Sequence, residues 1–157
     1  MLNAKSAASL ESDRSTAVPS RTDSEAAHKF GFTPGQVVQE FYYDEDVDMA
    51  LRESIERVTG EELADEDFAE TTDAAIIWWR SDDGDADDLT DLLTDAAANL
   101  DDGGDIWVLS PKAGRPGQVQ AADVEDAATN AGMHASASVD GAKDWLAMRL
   151  VVRARGV

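Results

Sequence analysis

The chain has 157 residues, no cysteine, 33 acids against 13 bases and a formal net charge of −20, which excludes a disulfide framework, a Cys-ligated zinc site and a thiol nucleophile. One domain is expected, and a chain of this length buries roughly 70% of its unfolded surface without covalent staples. The excess charge lies in residues 40–105, where 24 acids face three bases, and such a field repels phosphate backbones and anionic membranes while leaving a basic protein open as a partner.

Residues 1–27 are rich in Ala, Ser, Thr and charge without sustained periodicity, and they predict a disordered N-terminal tail. The chain lacks the apolar run of roughly 7 to 15 residues that a signal peptide needs, and any span of about 20 apolar residues, so it reads as cytoplasmic. The folded domain is placed at 28–155. It opens with Phe30, Phe32 and the turn Thr33-Pro34-Gly35, and Gln36 to Tyr43 then has the β-branched and aromatic content of a strand. Val47, Leu51, Ile55 and Val58 recur at helical spacing up to Gly60. Residues 61–70 are acidic, with only Leu63 and Phe68 as anchors, and fit either a short strand or a loop.

Thr72 to Trp79 is a second apolar run, closed by Ser81-Asp82-Asp83-Gly84. Asp85 is then the expected cap of a helix whose apolar stripe is Leu89, Leu92, Leu93, Ala96, Ala97 and Leu100, with Asp87 and Asp88 at the positive end of its dipole. Gly103-Gly104 is expected to stop that helix, and Ile106 to Leu109 reads as a strand buried on both faces. Strand, helix, strand, helix, strand is the order of a parallel α/β sheet.

After the loop Ala113 to Gly117, Val124, Ala127, Ala128 and Ala131 mark a short helix closed by Gly132. Met133 to Val139 alternates weakly, Asp140-Gly141 is the expected turn, and Trp145 to Arg153 reads as a terminal strand in an antiparallel hairpin near an edge. Its Leu146, Met148, Leu150 and Val152 face is assigned to the core. Its Trp145, Ala147, Arg149, Val151 and Arg153 face is assigned to solvent or neighbouring acids.

Leu100-Asp101-Asp102-Gly103-Gly104-Asp105-Ile106-Trp107-Val108-Leu109-Ser110-Pro111-Lys112, the segments Phe32 to Glu40 and Asp144 to Val152, the Trp78-Trp79 pair and the loop Pro111 to Gly117 together resemble the small acidic actinobacterial proteins classed as domain of unknown function 3052. The resemblance covers about residues 28–155. It implies a single Rossmann-like three-layer α/β domain, mostly parallel with a C-terminal antiparallel hairpin, and no established activity. A wider likeness is to class I methyltransferases, which place a glycine-rich turn after the first strand for the cofactor and an acid after the second for its ribose. Here the first strand runs into Phe41-Tyr42-Tyr43-Asp44-Glu45-Asp46-Val47 with no glycine, so the resemblance implies the fold and not the cofactor.

No catalytic, cofactor-binding or metal residues are assigned. Gly103-Gly104 lacks the surroundings of a phosphate loop, and Asp83, Asp85, Asp87 and Asp91 mimic a calcium loop whose glycine and terminal glutamate positions hold Asp88 and Thr94. His28 and His134 are too isolated for a metal or triad. Trp78 and Trp79 point to opposite faces, and burial of both is the plain expectation. The sharper one puts Trp79 in the crevice at the strand ends where open α/β sheets bind ligands, with Lys112 and Arg115 as the local positive charges and a candidate anion- or partner-binding rim. The resulting expectation is a non-enzymatic interaction or regulatory domain with a protein partner. The alternatives are a small methyltransferase-like or nucleotide-binding enzyme and an acidic nucleic-acid mimic that occupies a basic protein.

Overall fold

The computed structural model describes residues 30–152, so the tail predicted over residues 1–27 lies outside the described residues. Five strands, β1 (Val38–Phe41), β2 (Thr72–Trp78), β3 (Leu100–Pro111), β4 (Met133–Ala142) and β5 (Trp145–Val152), form one sheet in the order β1-β2-β3-β5-β4. The helices are α1 (Met49–Thr59), α2 (Ala86–Ala98) and α3 (Ala121–Asn130). The pairs β1·β2 and β2·β3 are parallel, whereas β3·β5 and β5·β4 are antiparallel. The sheet is therefore evenly mixed rather than mostly parallel, because the final hairpin adds two antiparallel pairings to a short parallel set.

Three layers follow from where the apolar stripes go. Leu51 and Ile55 of α1, with Phe30 and Phe32, cover Val38, Ile76, Trp78, Trp107 and Leu109 on one face. Leu89, Leu92, Leu93 and Ala96 of α2 and Val124, Ala127 and Ala128 of α3 cover Phe41, Ala75, Ile77, Ile106 and Val108 on the other. The side chain of Asp48 caps α1 and that of Asp85 caps α2, the latter in a reciprocal box with Asp88. No helix among the described residues is long and apolar enough to cross a membrane.

Between β1 and β2 the chain makes a detour. After α1 it touches the outer edge of β1 in one parallel bridge, Gln39 to Ala64, and only then crosses to β2 on the inner side. The acidic segment 61–70 is thus a loop with a single bridge. It is held by the buried Gln39 amide, which donates to the carbonyls of Asp65 and Phe68 at 3.0 Å each, and by Asn99, which donates to Phe68 at 2.8 Å.

Three boundaries differ from those the sequence predicts. Helix α2 stops at Asn99, not at Gly103-Gly104, because the Asn99 carbonyl accepts from the backbone N–H of Thr72 at 2.8 Å and starts the pairing of β3. The glycine pair instead carries a bulge, since Thr72 pairs with Leu100 while Ala74 pairs with Asp105. Gly103 has φ +82°, and a Cβ on Gly104 would stand 2.7 Å from the Asp73 carbonyl oxygen. The terminal hairpin turns at Lys143 and Asp144 rather than Asp140-Gly141, which lies within β4 beside a second register shift. On β5, the face assigned to solvent is core at Trp145 and Ala147, which pack on the α1 side. Only towards its end does Arg149 reach out to Asp105 at 2.9 Å.

Candidate functional site

Strands β1 and β2 are neighbours and parallel, yet α1 leaves β1 on one face and α2 leaves β2 on the other. Their carboxyl ends therefore diverge into a crevice, the place where open α/β sheets hold ligands. Here that place is occupied by the chain itself. Tyr42 directly follows β1 at φ +62°, the single non-glycine residue with positive φ among the described residues, and its ring packs on Trp79 with centroids 5.5 Å apart. The Tyr42 N–H donates to the Glu66 carboxylate at 2.6 Å and its carbonyl accepts from Arg80 at 2.8 Å. These bonds hold a conformation that side chains rarely adopt.

Arg80 is the centre of the arrangement. Its guanidinium donates to the carbonyls of Tyr42 and Trp78 at 2.8 Å each, to both oxygens of Asp46, and to Asp83 at 3.4 Å. It also lies over the Trp145 ring. Burial works against its charge, but the hydrogen bonds and charges of Asp46 and Asp83 outweigh that and hold its pKa above the usual value. The same bonds from Arg80 pull the Asp46 carboxyl below the usual carboxylate range. Burial and the carboxylates of Asp83, Glu66, Asp88 and Asp95 push the Tyr42 phenol upward. On the α1 face of β1, the buried Glu40 accepts from Arg52 at 2.7 and 2.8 Å and from the Trp78 indole at 2.8 Å.

Two clefts flank this plug. One, of about 380 Å³, is lined by Tyr42, Phe41, Gln39, Glu66 and Asp95, among others; the second, of about 270 Å³, has a floor of Trp79 and Leu89 and a rim of Ser81, Gln118 and Gln120. Neither has Lys or Arg in its lining.

The structure places Trp79 at the strand end but buries it, with 2% of its surface exposed. Lys112 pairs with Asp140 at 3.0 Å and Arg115 with Asp144 at 3.1 Å, both at the surface and outside the two clefts. The three predicted residues therefore do not converge on one cavity. The positive charge that joins the ends of β1 and β2 is Arg80, which sequence reasoning misses in naming Lys112 and Arg115. Its signal is visible in retrospect: Arg80 is the lone base between Arg57 and Lys112 and directly follows the Trp78-Trp79 pair.

A methyltransferase cofactor does not fit these residues. The strand end that would approach it carries Tyr42 in place of glycine, the Tyr42 N–H and carbonyl are already bonded, and the next three acids are Asp44, Glu45 and Asp46. Among the described residues no group of three or more His, Cys, Asp or Glu is placed to hold a metal ion.

Comparison with known proteins agrees on fold and family. The chain is similar to the magnesium protoporphyrin IX methyltransferase of Synechocystis, with a TM-score of 0.53 and 10% identity over 85% of this chain and 78% of that one. It is also similar to the pyocyanin biosynthetic protein PhzM, with a TM-score of 0.59 and 12% identity over 80% of this chain and 53% of that one. At such identities the likeness establishes a Rossmann-like α/β fold and nothing about activity. The uncharacterized proteins Rv2239c of Mycobacterium tuberculosis and Mb2263c of Mycobacterium bovis are each 43% identical over 137 residues, 87% of this chain and 84% of theirs. Residues 27–154 match the family model described as a protein of unknown function, DUF3052, and the chain belongs to that family.

Proposed function

We propose that the chain is a non-enzymatic, cytoplasmic protein-interaction domain, built on a nucleotide-type fold whose crevice is closed by its own side chains and whose acidic half receives a basic protein partner. The observation that supports this most is Arg80, whose guanidinium bridges the ends of β1 and β2 and spends its donors on the protein's own carbonyls and carboxylates. A ligand entering there would have to displace a chelated charge and relax Tyr42 from its left-handed conformation. Exposed carboxylates of α2, among them Asp87, Asp91 and Asp95, present the acidic surface. Lys112 and Arg115, beside the strand end that holds Trp79, form its positive rim. Their pairs with Asp140 and Asp144 are solvent-exposed, and such pairs exchange for a partner's carboxylates at little cost.

The methyltransferase-like alternative draws its support from the fold alone. Thermal melting separates the two readings, because a ligand at a hundred times its Kd stabilises the folded state by about 2.7 kcal/mol. Unchanged melting with S-adenosylmethionine and with nucleotides is the expected result, and a rise of several degrees with either would overturn the closed-crevice reading. Affinity capture from the native cytoplasm should retain a basic protein at low salt and lose it steeply as salt rises. Retention indifferent to salt would remove the acidic surface as the contact.

A further inference from the structure

The sheet has two edges, and they are treated differently. The outer edge of β1 is covered by the segment bridged at Ala64, whereas the outer edge of β4 has no strand partner among the described residues. Strand β4 is ten residues long, and its exposed side chains include His134, Ser136, Ala137, Ser138 and Asp140. Exposed edges are ordinarily blunted by lysine, proline, unpaired charge or β-bulges, and of these devices the β4 edge has register shifts between Ala135 and Ala137 and between Asp140 and Ala142. This one has neither lysine nor proline, and its acid is neutralised by Lys112 at 3.0 Å.

We propose that the β4 edge is a homodimer interface, at which β4 of a second copy pairs antiparallel about a two-fold axis to make one continuous ten-stranded sheet.

Three observations select a second copy over another partner. An antiparallel edge is its own complement under a two-fold axis, because each strand offers the other the same alternating N–H and carbonyl groups. The faces also match. Partners on β5 place Met133, Ala135, Ser138 and Asp140 on the α2–α3 side and His134 and Val139 on the α1 side, with the register shift between Ala135 and Ala137 separating the two parities. Pairing Met133 with Asp140, His134 with Val139 and Ala135 with Ser138 of the second copy keeps both faces continuous and sets no like charges opposite one another. Charge is the third observation. Residues 106–157 carry five acids and six bases, so β4 lies in the neutral third of the chain, at the far end of the sheet from β1. With strands about 4.8 Å apart, the two copies of β2 would stand roughly 34 Å from each other, several times the screening length of about 8 Å at physiological salt. Two molecules of charge −20 can meet at this edge without opposing their acidic halves. The β4 edge is separate from the α2 carboxylates that receive the proposed basic partner; Lys112, which pairs with Asp140 of β4, is common to both readings, so the test below changes Ala137 and Ser138 and leaves Lys112 untouched.

The test is the mass of the full-length chain by size exclusion with light scattering, from about 5 to about 100 μM, since dimerisation follows mass action. The expected result is a shift toward twice the 16.8 kDa of one chain, abolished in the double variant Ala137→Lys/Ser138→Lys with unchanged far-ultraviolet circular dichroism. A monomer at every concentration would overturn the proposal, and so would a dimer that survives the lysines. Hydrogen exchange on the wild-type chain needs no variant. Amides from 134 to 139 should gain protection as concentration rises, and protection independent of concentration would exclude the interface.

Discussion

The guanidinium carbon of Arg80 stands 5.4 Å from the centroid of the Trp145 ring, so a cation from the end of β2 is stacked on the first residue of β5. Trp145 in turn meets Trp78 edge-on at 4.9 Å. This contact ties the parallel half of the sheet to the antiparallel hairpin through one side chain.

Removing that side chain should cost more than a surface charge. Arg80→Ala leaves the Tyr42 and Trp78 carbonyls and the Asp46 carboxylate without the guanidinium, while Asp83 keeps the backbone N–H of residue 80 at 2.9 Å, and a loss of about 3 kcal/mol in urea unfolding is expected. Arg80→Lys should recover only part of it, because an ammonium cannot reach carbonyls and carboxylates in several directions at once.

The acid limb of stability carries the signature of the same pair. Asp46 has a folded-state pKa below its ordinary value of 3.8, through the hydrogen bonds from Arg80, and Asp85 is lowered by the backbone N–H of Asp88. Depressed carboxylates contribute stability that is complete above about pH 5 and is lost as pH falls through and below 3.8. Chemical denaturation across pH 2 to 6 should therefore show a shallower acid slope for Asp46→Asn than for the wild type. Raised values on Arg80 and Arg52 act only above the usual guanidinium range and leave this window untouched.

Glu40 and Arg52 form the second test of stability. Glu40→Ala strands the Arg52 guanidinium and the Trp78 indole N–H together, and about 3 to 5 kcal/mol should be lost. Glu40→Gln keeps an acceptor for the indole and should lose less. A double-mutant cycle with Arg52→Met isolates the pair.

The two glycines of β3 should separate cleanly. At Gly103 an added Cβ meets nothing within 4 Å, so Gly103→Ala costs only its left-handed backbone, about 1 to 2 kcal/mol. At Gly104 the added carbon meets the backbone oxygen of Asp73 at 2.7 Å, and the strand must move. Gly104→Ala should therefore be the more destabilising of the two, by about 1 to 3 kcal/mol, in thermal or urea melts.

Lys112→Ala and Arg115→Ala should each change stability by less than about 1 kcal/mol, since both ion pairs are solvent-exposed. Their effect should appear in partner binding measured by titration calorimetry. Full affinity in both variants would remove the rim from the interaction surface.

How far the sequence reaches depends on whether a residue acts locally. Leu89, Leu92, Leu93 and Ala96 could be placed because helical periodicity is a property of neighbours along the chain, and the structure buries all four. Asp85 as a cap was legible for the same reason. Gly103-Gly104 misled because a glycine pair marks a chain reversal and a close backbone approach equally well. Only the neighbouring Asp73 carbonyl, far away in sequence, decides between them. Trp145 and Ala147 were assigned to solvent because alternation on a strand does not say whether one face or both are covered. Arg80, Glu40 and Gln39 escape a sequence reading because their partners lie far along the chain, 38 residues away for Arg80 to Tyr42 and Glu40 to Trp78 and 60 for Gln39 to Asn99, and no short window contains both ends.

The amide of Gln39 makes the two ends of the sheet unequal. By gripping the carbonyls of Asp65 and Phe68 it fastens a segment too polar to become a strand across the rim of β1, and that rim can accept no further chain. A sheet open at both ends can recruit neighbours without limit and grow into fibres. With one end stoppered by a glutamine, pairing at the other end would exhaust itself after a single step.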